Sequence, residues 1–256
     1  MGSVAHGRVA AFFDIDGTLV PKPSLERRFV ALLAWRRELS AVNSVRWILE
    51  ALRLAPRGGS AIRHGNKMHL RGVRAGLDGD GGLRFVVPGF FPRAVERVAQ
   101  HAAAGHDIVL VSGTLAPLAK MLSVALEAGL KRLGCPASVR VCATRLEESY
   151  GAWTGRVLGG PMMGKAKAQA ALRLAQENGY DLGRSYAYAD SASDRWLLAM
   201  VGNPAAVNPA WRLARIARAR SWPVLRWSVA PRNEAARPRE AGSCEMSLRK
   251  HASKAI

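Results

Sequence analysis

The segment from Arg8 to Leu19 constrains the fold of this chain more than any other. It reads RVAAFFDIDGTL, an apolar run that ends in Asp14 and Asp16 and is followed by a Gly-Thr pair. A short apolar run bounded by turn residues is typical of a fully buried strand of a parallel sheet. The ligand crevice of an open α/β sheet lies at the carboxyl ends of its strands, where these two carboxylates fall. The segment therefore predicts an α/β fold with a functional site beside Asp14 and Asp16.

Strand and helix patterns alternate along most of the remaining chain. Strands are predicted over residues 9–13, 107–111, 139–143, 185–189, 205–207 and 223–227. Helices are predicted over residues 94–104, 118–130, 166–178 and 211–219. Strands that alternate with helices of this length predict a doubly wound, Rossmann-like parallel sheet.

A helical insertion interrupts this alternation after the first predicted strand. Apolar residues recur there at helical spacing over 24–54 and more weakly over 64–77, and the basic residues fall on the other face. Pro and Gly residues predict a break at 56–59 and a flexible, hinge-like loop at 78–82.

These patterns divide the chain into a core, an insertion and a tail. We predict that residues 1–20 and 88–230 form the alternating core and that residues 21–87 form the insertion. Residues 231–256 show no periodicity and are rich in Pro, Ser, Arg and Glu, which predicts a disordered basic tail.

The composition restricts the partners of the chain. It carries 38 Lys and Arg against 19 Asp and Glu, a formal net charge of +19. Such a balance favours phosphorylated substrates, anionic lipid surfaces or nucleic acid, and a merely solvated basic surface is the alternative. No apolar stretch is long enough to cross a bilayer, no signal peptide is visible, and the three cysteines lack metal-ligand spacing. We therefore expect a cytoplasmic protein.

Chemically useful side chains cluster where predicted strands end or helices begin. Besides Asp14 and Asp16, they are Ser112 to Thr114, Lys165 and Lys167, and Asp190 and Asp194. Since the carboxyl-end loops of a parallel sheet converge on one edge, these groups can share one crevice. Neighbouring carboxylates repel each other unless a cation or a proton compensates. Carboxylates with a lysine and a hydroxyl are the set that Mg²⁺-assisted phosphoryl transfer requires, so Mg²⁺ is the predicted cofactor.

Four motifs in this order resemble those of the haloacid dehalogenase-like hydrolases, and specifically their phosphoserine-phosphatase-like subfamily. They are FFDIDGT at 12–18, LVSGT at 110–114, GKAK at 164–167 and YADSASD at 188–194. The resemblance covers about residues 8–230. It implies that the insertion over 21–87 is a small helical cap domain that closes over the site and chooses the substrate.

The resemblance also implies a role for each matched position. Asp14 would be the nucleophile that attacks phosphorus, and Asp16 the general acid and base. The Gly-x-x-Lys spacing favours Lys167 over Lys165 as the site lysine. The metal-site groups would be Asp14, the backbone carbonyl of Asp16, Asp190 and Asp194. The expected phosphate-binding groups are Ser112, the N–H of Gly113, Lys167, and the turn of Gly17 and Thr18, whose N–H groups are free to face an anion.

The expected function is that of a Mg²⁺-dependent phosphomonoesterase that forms an aspartyl-phosphate. Its substrate would be a small phosphorylated metabolite of the amino-acid or amino-alcohol phosphate type. Phosphoserine phosphatases carry a glutamate for the substrate's amino group soon after the first motif. This chain has Pro23 and Ser24 there, and Glu26 is the nearest acid. Some arginines of the insertion could bind an anionic part of the substrate or simply be solvated: Arg27, Arg28, Arg63 and Arg71.

Two alternatives belong to other functional classes. A phospholipid head-group phosphatase would make peripheral contact with an anionic membrane surface, which suits the basic insertion. A non-catalytic basic module that binds nucleic acid or a partner protein would explain the charge but leave the polar cluster without a use, so no specific nucleic acid is expected. The sequence does not predict an oligomeric state.

Overall fold

The computed structural model describes residues 7–75 and 85–229 of the chain. Its strands are β1 (Ala10–Phe13), β2 (Asp107–Leu115), β3 (Val139–Ser149), β4 (Ala152–Leu158), β5 (Tyr186–Ala189), β6 (Asn203–Val207) and β7 (Val224–Leu225). Within these residues they form one seven-stranded sheet in the order β4-β3-β2-β1-β5-β6-β7. Adjacent strands are parallel, except for the antiparallel pair of β3 and β4. The order confirms the predicted doubly wound sheet, with β1 at its centre.

Helices cover both faces of this sheet. The helices of the described residues are α1 (Leu25–Trp35), α2 (Ala41–Leu54), α3 (Gly59–Gly65), α4 (Pro92–Ala103), α5 (Ala116–Arg132), α6 (Lys165–Asn178), α7 (Arg195–Leu198) and α8 (Trp211–Ala219). Of these, α2 and α3 contribute no residue to the core clusters on the sheet. Phe13 of β1 belongs to a core cluster with residues of α1, α4 and α5. Phe12 belongs to a second cluster, with residues of α6, α7 and α8. Because both faces of β1 are buried, all four of its residues are apolar.

Neighbouring strands fix the position of the residues that follow β1. Phe13 pairs with Leu110 of β2 on one side and with Tyr188 of β5 on the other. The N–H of Asp14 donates to the carbonyl of Tyr188 at 2.9 Å, which extends this pairing by one residue. The carboxyl ends of β1, β2 and β5 therefore lie side by side at one edge of the sheet.

The insertion is helical, but its helices are shorter than the sequence predicted. The segment predicted as helical over 24–54 forms two helices, α1 and α2. The start of α1 agrees with the prediction, because the hydroxyl oxygen of Ser24 accepts a hydrogen bond from the N–H of Arg27 at 3.4 Å. Short 3₁₀ turns follow at Ala55–Arg57 and Met68–Leu70.

The helix predicted over 64–77 is wrong for residues 66–75. Helix α3 already ends at Gly65, and Asn66 has an extended backbone, with φ −95° and ψ 107°. The side chain of Asn66 donates to the carbonyl of Trp47 in α2 at 2.8 Å and accepts from the N–H of Met68 at 3.2 Å. These side-chain bonds replace those that a continued helix would form.

Strands β3 and β4 form a hairpin that the sequence patterns did not predict. Trp153 of β4 is buried, its N–H donates to the carbonyl of Val73 at 2.9 Å, and its carbonyl accepts from the N–H of Gly72 at 2.8 Å. Its ring meets that of Phe29 in α1 edge-on, with 6.0 Å between the centroids. The hairpin thereby attaches the insertion to the core.

Across the described residues, each helix is too short or too polar to span a bilayer. The loop predicted at 78–82 and the tail predicted at 231–256 lie outside those residues. The division of the chain into a cap and a core stays a prediction.

Candidate active site

Three buried carboxylates meet at the carboxyl edge of the central strands. Asp14 follows β1, Asp190 follows β5, and Asp194 ends the 3₁₀ turn Ala192–Asp194 before α7. They are 5%, 3% and 1% exposed, respectively. One oxygen of each lies within 4.8 Å of the others. Such a group of acids requires compensating positive charge.

Lys167 supplies part of that charge. Its Nζ lies 2.7 Å from Oδ1 of Asp14 and 2.8 Å from Oδ1 of Asp194. Lys165 is exposed instead, with its Nζ 5.2 Å from the ring centroid of Trp196. Burial acts to lower the pKa of Lys167, but the two carboxylates outweigh it and raise that pKa above its ordinary value. Lys167 therefore remains a cation.

Asp16 lies in different surroundings from Asp14. Its Oδ2 accepts a hydrogen bond from the hydroxyl of Thr114 at 2.5 Å, and its Oδ1 accepts one from the N–H of Leu25, at the start of α1, at 2.8 Å. Burial raises the pKa of Asp16, the nearby charge of Asp14 adds to this, and the two hydrogen bonds oppose it. Asp16 is thus the acid of the first motif that is suited to hold a proton.

The end of β2 contributes a hydroxyl and a fixed backbone turn. Ser112 is buried, and its Oγ accepts a hydrogen bond from the N–H of Thr114 at 3.3 Å. The carbonyl of Gly113 accepts one from the hydroxyl of Thr144 in β3 at 2.8 Å. The bond from Thr144 holds the turn in place from the neighbouring strand.

Gly17 and Thr18 shape the loop after β1. Gly17 has a φ of +85°, and a Cβ there would lie 2.8 Å from Cγ of Asp190. The N–H of Gly17 donates to the carbonyl of Val20 at 2.8 Å, and that of Thr18 to the carbonyl of Ile15 at 3.3 Å. Both N–H groups are used inside the turn, so they are not free to face an anion as the sequence suggested. Glycine is required here because the chain passes so close to Asp190.

The site acids, Lys167 and the residues at the end of β2 surround a cavity of about 250 Å³. Its walls include Asp14, Asp16, Ser112, Gly113, Thr114, Lys167, Asp190 and Asp194 from the predicted core. From the insertion they include Lys22, Ser24, Glu26 and His64. The structure thus brings the predicted site residues together around one cavity, apart from Gly17 and Thr18.

The donor set of the cavity fits a hard divalent cation. Mg²⁺ prefers oxygen ligands, and the carboxylates of Asp14, Asp190 and Asp194 supply them. Five carboxylates and two lysines line the cavity, which leaves net negative charge for a cation to neutralise. The carboxylate of Asp16 lies outside the three-acid group, so its predicted contribution is limited to the backbone carbonyl.

Comparison with known proteins identifies the family. The haloacid dehalogenase-like hydrolases match this chain over residues 11–199. The chain belongs to that family. It is 32% identical over 240 residues to an inhibition of morphological differentiation protein of Streptomyces azureus, with 85% of this chain and 78% of that protein covered. It is 31% identical over 246 residues to a probable phosphatase of Mycobacterium tuberculosis, with 89% and 78% covered.

Solved structures show the same fold. A Bordetella pertussis protein of unknown function is 25% identical, with a TM-score of 0.64 over 86% of this chain and 98% of that one. Phosphoserine phosphatases share the fold at lower identity. The family resemblance and the hydrolase class predicted from the sequence are therefore confirmed.

Lys22 is a site residue of this haloacid dehalogenase-like hydrolase that the sequence did not reveal. Its Nζ lies 2.7 Å from Oδ2 of Asp190. The hydrogen bond to Asp190 raises the pKa of Lys22, so this lysine stays charged. Burial raises the pKa of Asp190, and the neighbouring charge of Asp14 adds to the effect. Lys22 belongs to no motif and to no periodic pattern, so only the fold could place it.

Glu26 and Lys67 bring a buried ion pair from the insertion to the site of this hydrolase. Nζ of Lys67 donates to Oε1 of Glu26, and Lys67 is only 4% exposed. Glu26, the acid nearest to the expected glutamate position, lines the cavity together with His64. Burial lowers the pKa of His64, which favours its neutral form.

Proposed function

We propose that this enzyme is a Mg²⁺-dependent phosphomonoesterase that forms an aspartyl-phosphate on Asp14. The observation that carries the proposal is the buried group of Asp14, Asp190 and Asp194, with Lys167 between the first and the last of them. Similarity to a protein named as a probable phosphatase and the fold shared with phosphoserine phosphatases support it.

The proposed reaction divides the work between the two acids of the first motif. A carboxylate oxygen of Asp14 attacks phosphorus as the bond from phosphorus to the leaving oxygen breaks. Asp16 gives its proton to that oxygen, which leaves as an alcohol. Asp16 then takes a proton from water, the hydroxide attacks phosphorus, and the bond to Asp14 breaks to release inorganic phosphate. Burial of Asp16 supports this role, because it raises the pKa of the carboxyl that must hold a proton.

Other groups would hold the phosphoryl oxygens during both steps. Lys167, the hydroxyl of Ser112 and the N–H of Gly113 are proposed to donate to them. Asp14, Asp190, Asp194 and the backbone carbonyl of Asp16 would hold Mg²⁺. When bound, Mg²⁺ would supply positive charge that neutralises the phosphate oxygens.

The proposed substrate is a small phosphorylated metabolite of the amino-acid or amino-alcohol phosphate type, used in the cytoplasm. The catalytic cavity holds about 250 Å³, which suits a phosphoryl group with a small attachment. Glu26 lines it, and since Lys67 occupies its Oε1, its other carboxylate oxygen would meet the amino group. Residues 21–87 would act as the cap that covers the bound substrate and excludes water.

Release of p-nitrophenol from p-nitrophenyl phosphate, with and without Mg²⁺, tests the proposed function. We expect turnover that requires the metal and that is lost in Asp14→Asn, because an amide cannot act as the nucleophile. Circular dichroism of the variant checks that the fold is kept. A flat trace in the wild type, together with salt-sensitive retention of the protein on DNA, would favour the basic binding module instead.

An exposed apolar face on α2 favours one second candidate, a phospholipid head-group phosphatase. Val42, Val45, Ile48, Leu49 and Leu52 of this helix are each more than half exposed, from 54% to 67%. Residues 22–87 hold 13 Lys and Arg against five Asp and Glu. An apolar helix face on a basic surface is the combination that binds anionic membranes from one side.

Co-sedimentation with liposomes separates the lipid candidate from the soluble metabolite. Val45→Ser together with Leu49→Ser would weaken pelleting with anionic vesicles if α2 inserts into the lipid surface. Equally low recovery of the wild type with neutral and anionic vesicles would exclude the membrane candidate.

A further inference from the structure

A larger cleft adjoins the catalytic cavity. Its volume is about 830 Å³, against about 250 Å³ for the cavity, and the two share His64, Met163 and Ser193 in their walls. The two volumes therefore meet at these three side chains. Since the cavity suits a phosphoryl group with a small attachment, a larger leaving group would extend past these side chains into the cleft.

Arginine side chains dominate the charge of this cleft. Its walls carry Arg53, Arg57 and Arg71 from the insertion and Arg156 from β4, whereas Glu50 is the acid among the lining residues. Nη1 of Arg53 lies 3.7 Å from Oε2 of Glu50, so these two side chains form an ion pair. The other three arginines form no ion pair within residues 7–75 and 85–229. Their guanidinium groups are therefore available to an anionic ligand.

The backbones that carry Arg71 and Arg156 are fixed against each other. The carbonyl of Arg71 accepts a hydrogen bond from the buried side chain of Asn43 at 2.6 Å. Gly155, beside Arg156, has a φ of +85°, and a Cβ there would lie 2.9 Å from Cα of Met68. The hairpin thus touches the insertion directly. Two arginines from separate elements are held on one cleft, which reduces the cost of ordering them around a ligand.

We propose that this cleft binds an anionic group on the leaving group, so that the enzyme selects phosphomonoesters with a second oxyanion. Guanidinium groups donate paired hydrogen bonds to carboxylates and phosphates alike. Arg71 and Arg156 would make these contacts, and Arg57 would add positive charge. The inference rests on the proposed phosphatase activity and adds a specificity site to it.

The charge of the cleft separates the two proposed substrate types. An amino-acid phosphate brings a carboxylate that the arginines attract. An amino-alcohol phosphate brings only an ammonium group, which four arginines against one glutamate repel. The cleft therefore favours the amino-acid type, and its volume also admits bisphosphates.

Matched substrate pairs test the proposal in the full-length enzyme with Mg²⁺. O-phosphoserine and O-phosphoethanolamine differ by the carboxylate, and fructose 1,6-bisphosphate and fructose 1-phosphate differ by the second phosphate. We expect kcat/KM to be at least about tenfold higher for the second-anion member of one pair or both. The pair that responds identifies the anion as carboxylate or phosphate.

p-Nitrophenyl phosphate separates failure of this proposal from failure of the proposed function. If it is turned over while both pairs give equal kcat/KM values, the specificity site is refuted and the phosphatase activity stands. If no ester is turned over, both fall.

Arg71→Gln and Arg156→Gln test whether the cleft is responsible. For each variant we expect the loss of kcat/KM on the preferred substrate to exceed the loss on p-nitrophenyl phosphate by about tenfold, mainly through KM. Arg74→Gln removes an equal charge from the same segment, but outside the cleft, and should leave kcat/KM unchanged on both substrates. Equal losses of kcat/KM in all three variants, or on both substrates, would overturn the proposal. Such a result would mean that the overall positive charge matters and not the position of each arginine.

Discussion

At the scale of the residue, partners rather than residue type distinguish the two acids of the first motif. Asp14 faces the ammonium group of Lys167, whereas Asp16 faces a hydroxyl and the N–H of a helix start. Burial raises the pKa of Asp16 and so favours the protonated carboxyl that a proton donor needs, although its two hydrogen bonds oppose this effect. This difference is the physical basis for assigning nucleophile and proton donor as we do.

Lys167→Ala and Lys165→Ala form a matched pair on the same helix turn. Removing the buried ammonium group leaves Asp14 and Asp194 without their shared cation, so we expect turnover to fall by about 100-fold or more. Lys165 contacts Trp196 at the surface, and its variant should stay within about twofold of wild type. Steady-state kinetics with p-nitrophenyl phosphate measures both. Equal damage from the two substitutions would show that α6 presents a different face to the site.

Lys22→Met tests whether this lysine competes with a divalent cation for Asp190. The ammonium group of Lys22 occupies Oδ2 of Asp190, so its removal should tighten Mg²⁺ binding by about tenfold, as one lost charge contact would. Isothermal titration calorimetry with MgCl₂ measures this without reference to turnover. Arg27→Met, an exposed charge nearby, is the control and should leave the affinity as it is. Weaker binding in the Lys22 variant would contradict the account.

At the scale of the element, the β3–β4 hairpin fixes the insertion to the core through a close backbone approach. Gly155→Ala and Gly151→Ala both place a side chain at a positive φ, +85° and +74°. Only Gly155→Ala also brings its Cβ to 2.9 Å from Cα of Met68, whereas a Cβ at Gly151 has no atom within 4 Å among the described residues. We expect Gly155→Ala to lower the free energy of unfolding by about 1–3 kcal/mol more than Gly151→Ala. Urea unfolding followed by circular dichroism measures it, and equal values would mean that the contact is not tight.

Elements with a strong local pattern could be predicted from the sequence. Helix α8 has the predicted bounds of Trp211–Ala219, and β1 differs from its prediction by one residue. In such segments the buried positions follow a regular pattern, on one face of a helix or on both faces of a strand. The pattern of apolar residues is therefore sufficient to predict the element. The convergence of acids after β1 and β5 followed from the parallel order of the sheet.

Other features depend on contacts between distant segments and could not be predicted. Strand β4 exists because Trp153 packs into the insertion, and the helix predicted over 64–77 fails because Asn66 bonds to α2. Arg156 reaches the cleft only through that hairpin, whereas Arg71 could be named as a candidate in advance. The spacing of apolar and polar residues within one segment does not reveal which distant segment it will contact.

At the scale of the whole molecule, the buried His101 connects α4 to the central sheet. Nε2 of His101 lies 2.9 Å from the hydroxyl of Tyr188, and its Nδ1 lies 2.8 Å from Nδ1 of His106. Burial lowers the pKa of His101 to about 3, and the charges of His106 and Arg97 add to this. The ring of Tyr186 packs against that of His101, with 4.6 Å between their centroids. The folded protein therefore keeps His101 neutral.

This arrangement makes stability fall in acid. The unfolded chain protonates His101 near its ordinary pKa of 6.5, whereas the folded chain does so only near 3. The contribution of His101 is therefore complete above pH 6.5 and declines below it by about 1.4 kcal/mol per pH unit. Urea unfolding at neutral and mildly acidic pH measures the slope, which His101→Gln should reduce. An unchanged slope in the variant would contradict the assignment.

The stereochemical course at phosphorus tests most directly whether Asp14 carries the phosphoryl group. The measurement is hydrolysis, in isotopically labelled water, of a thiophosphate monoester made chiral with oxygen isotopes. Transfer to Asp14 and then to water inverts the phosphorus centre twice, so we predict overall retention of configuration. Inversion would mean that water attacks the ester in a single step, and the aspartyl-phosphate would have no place in the reaction.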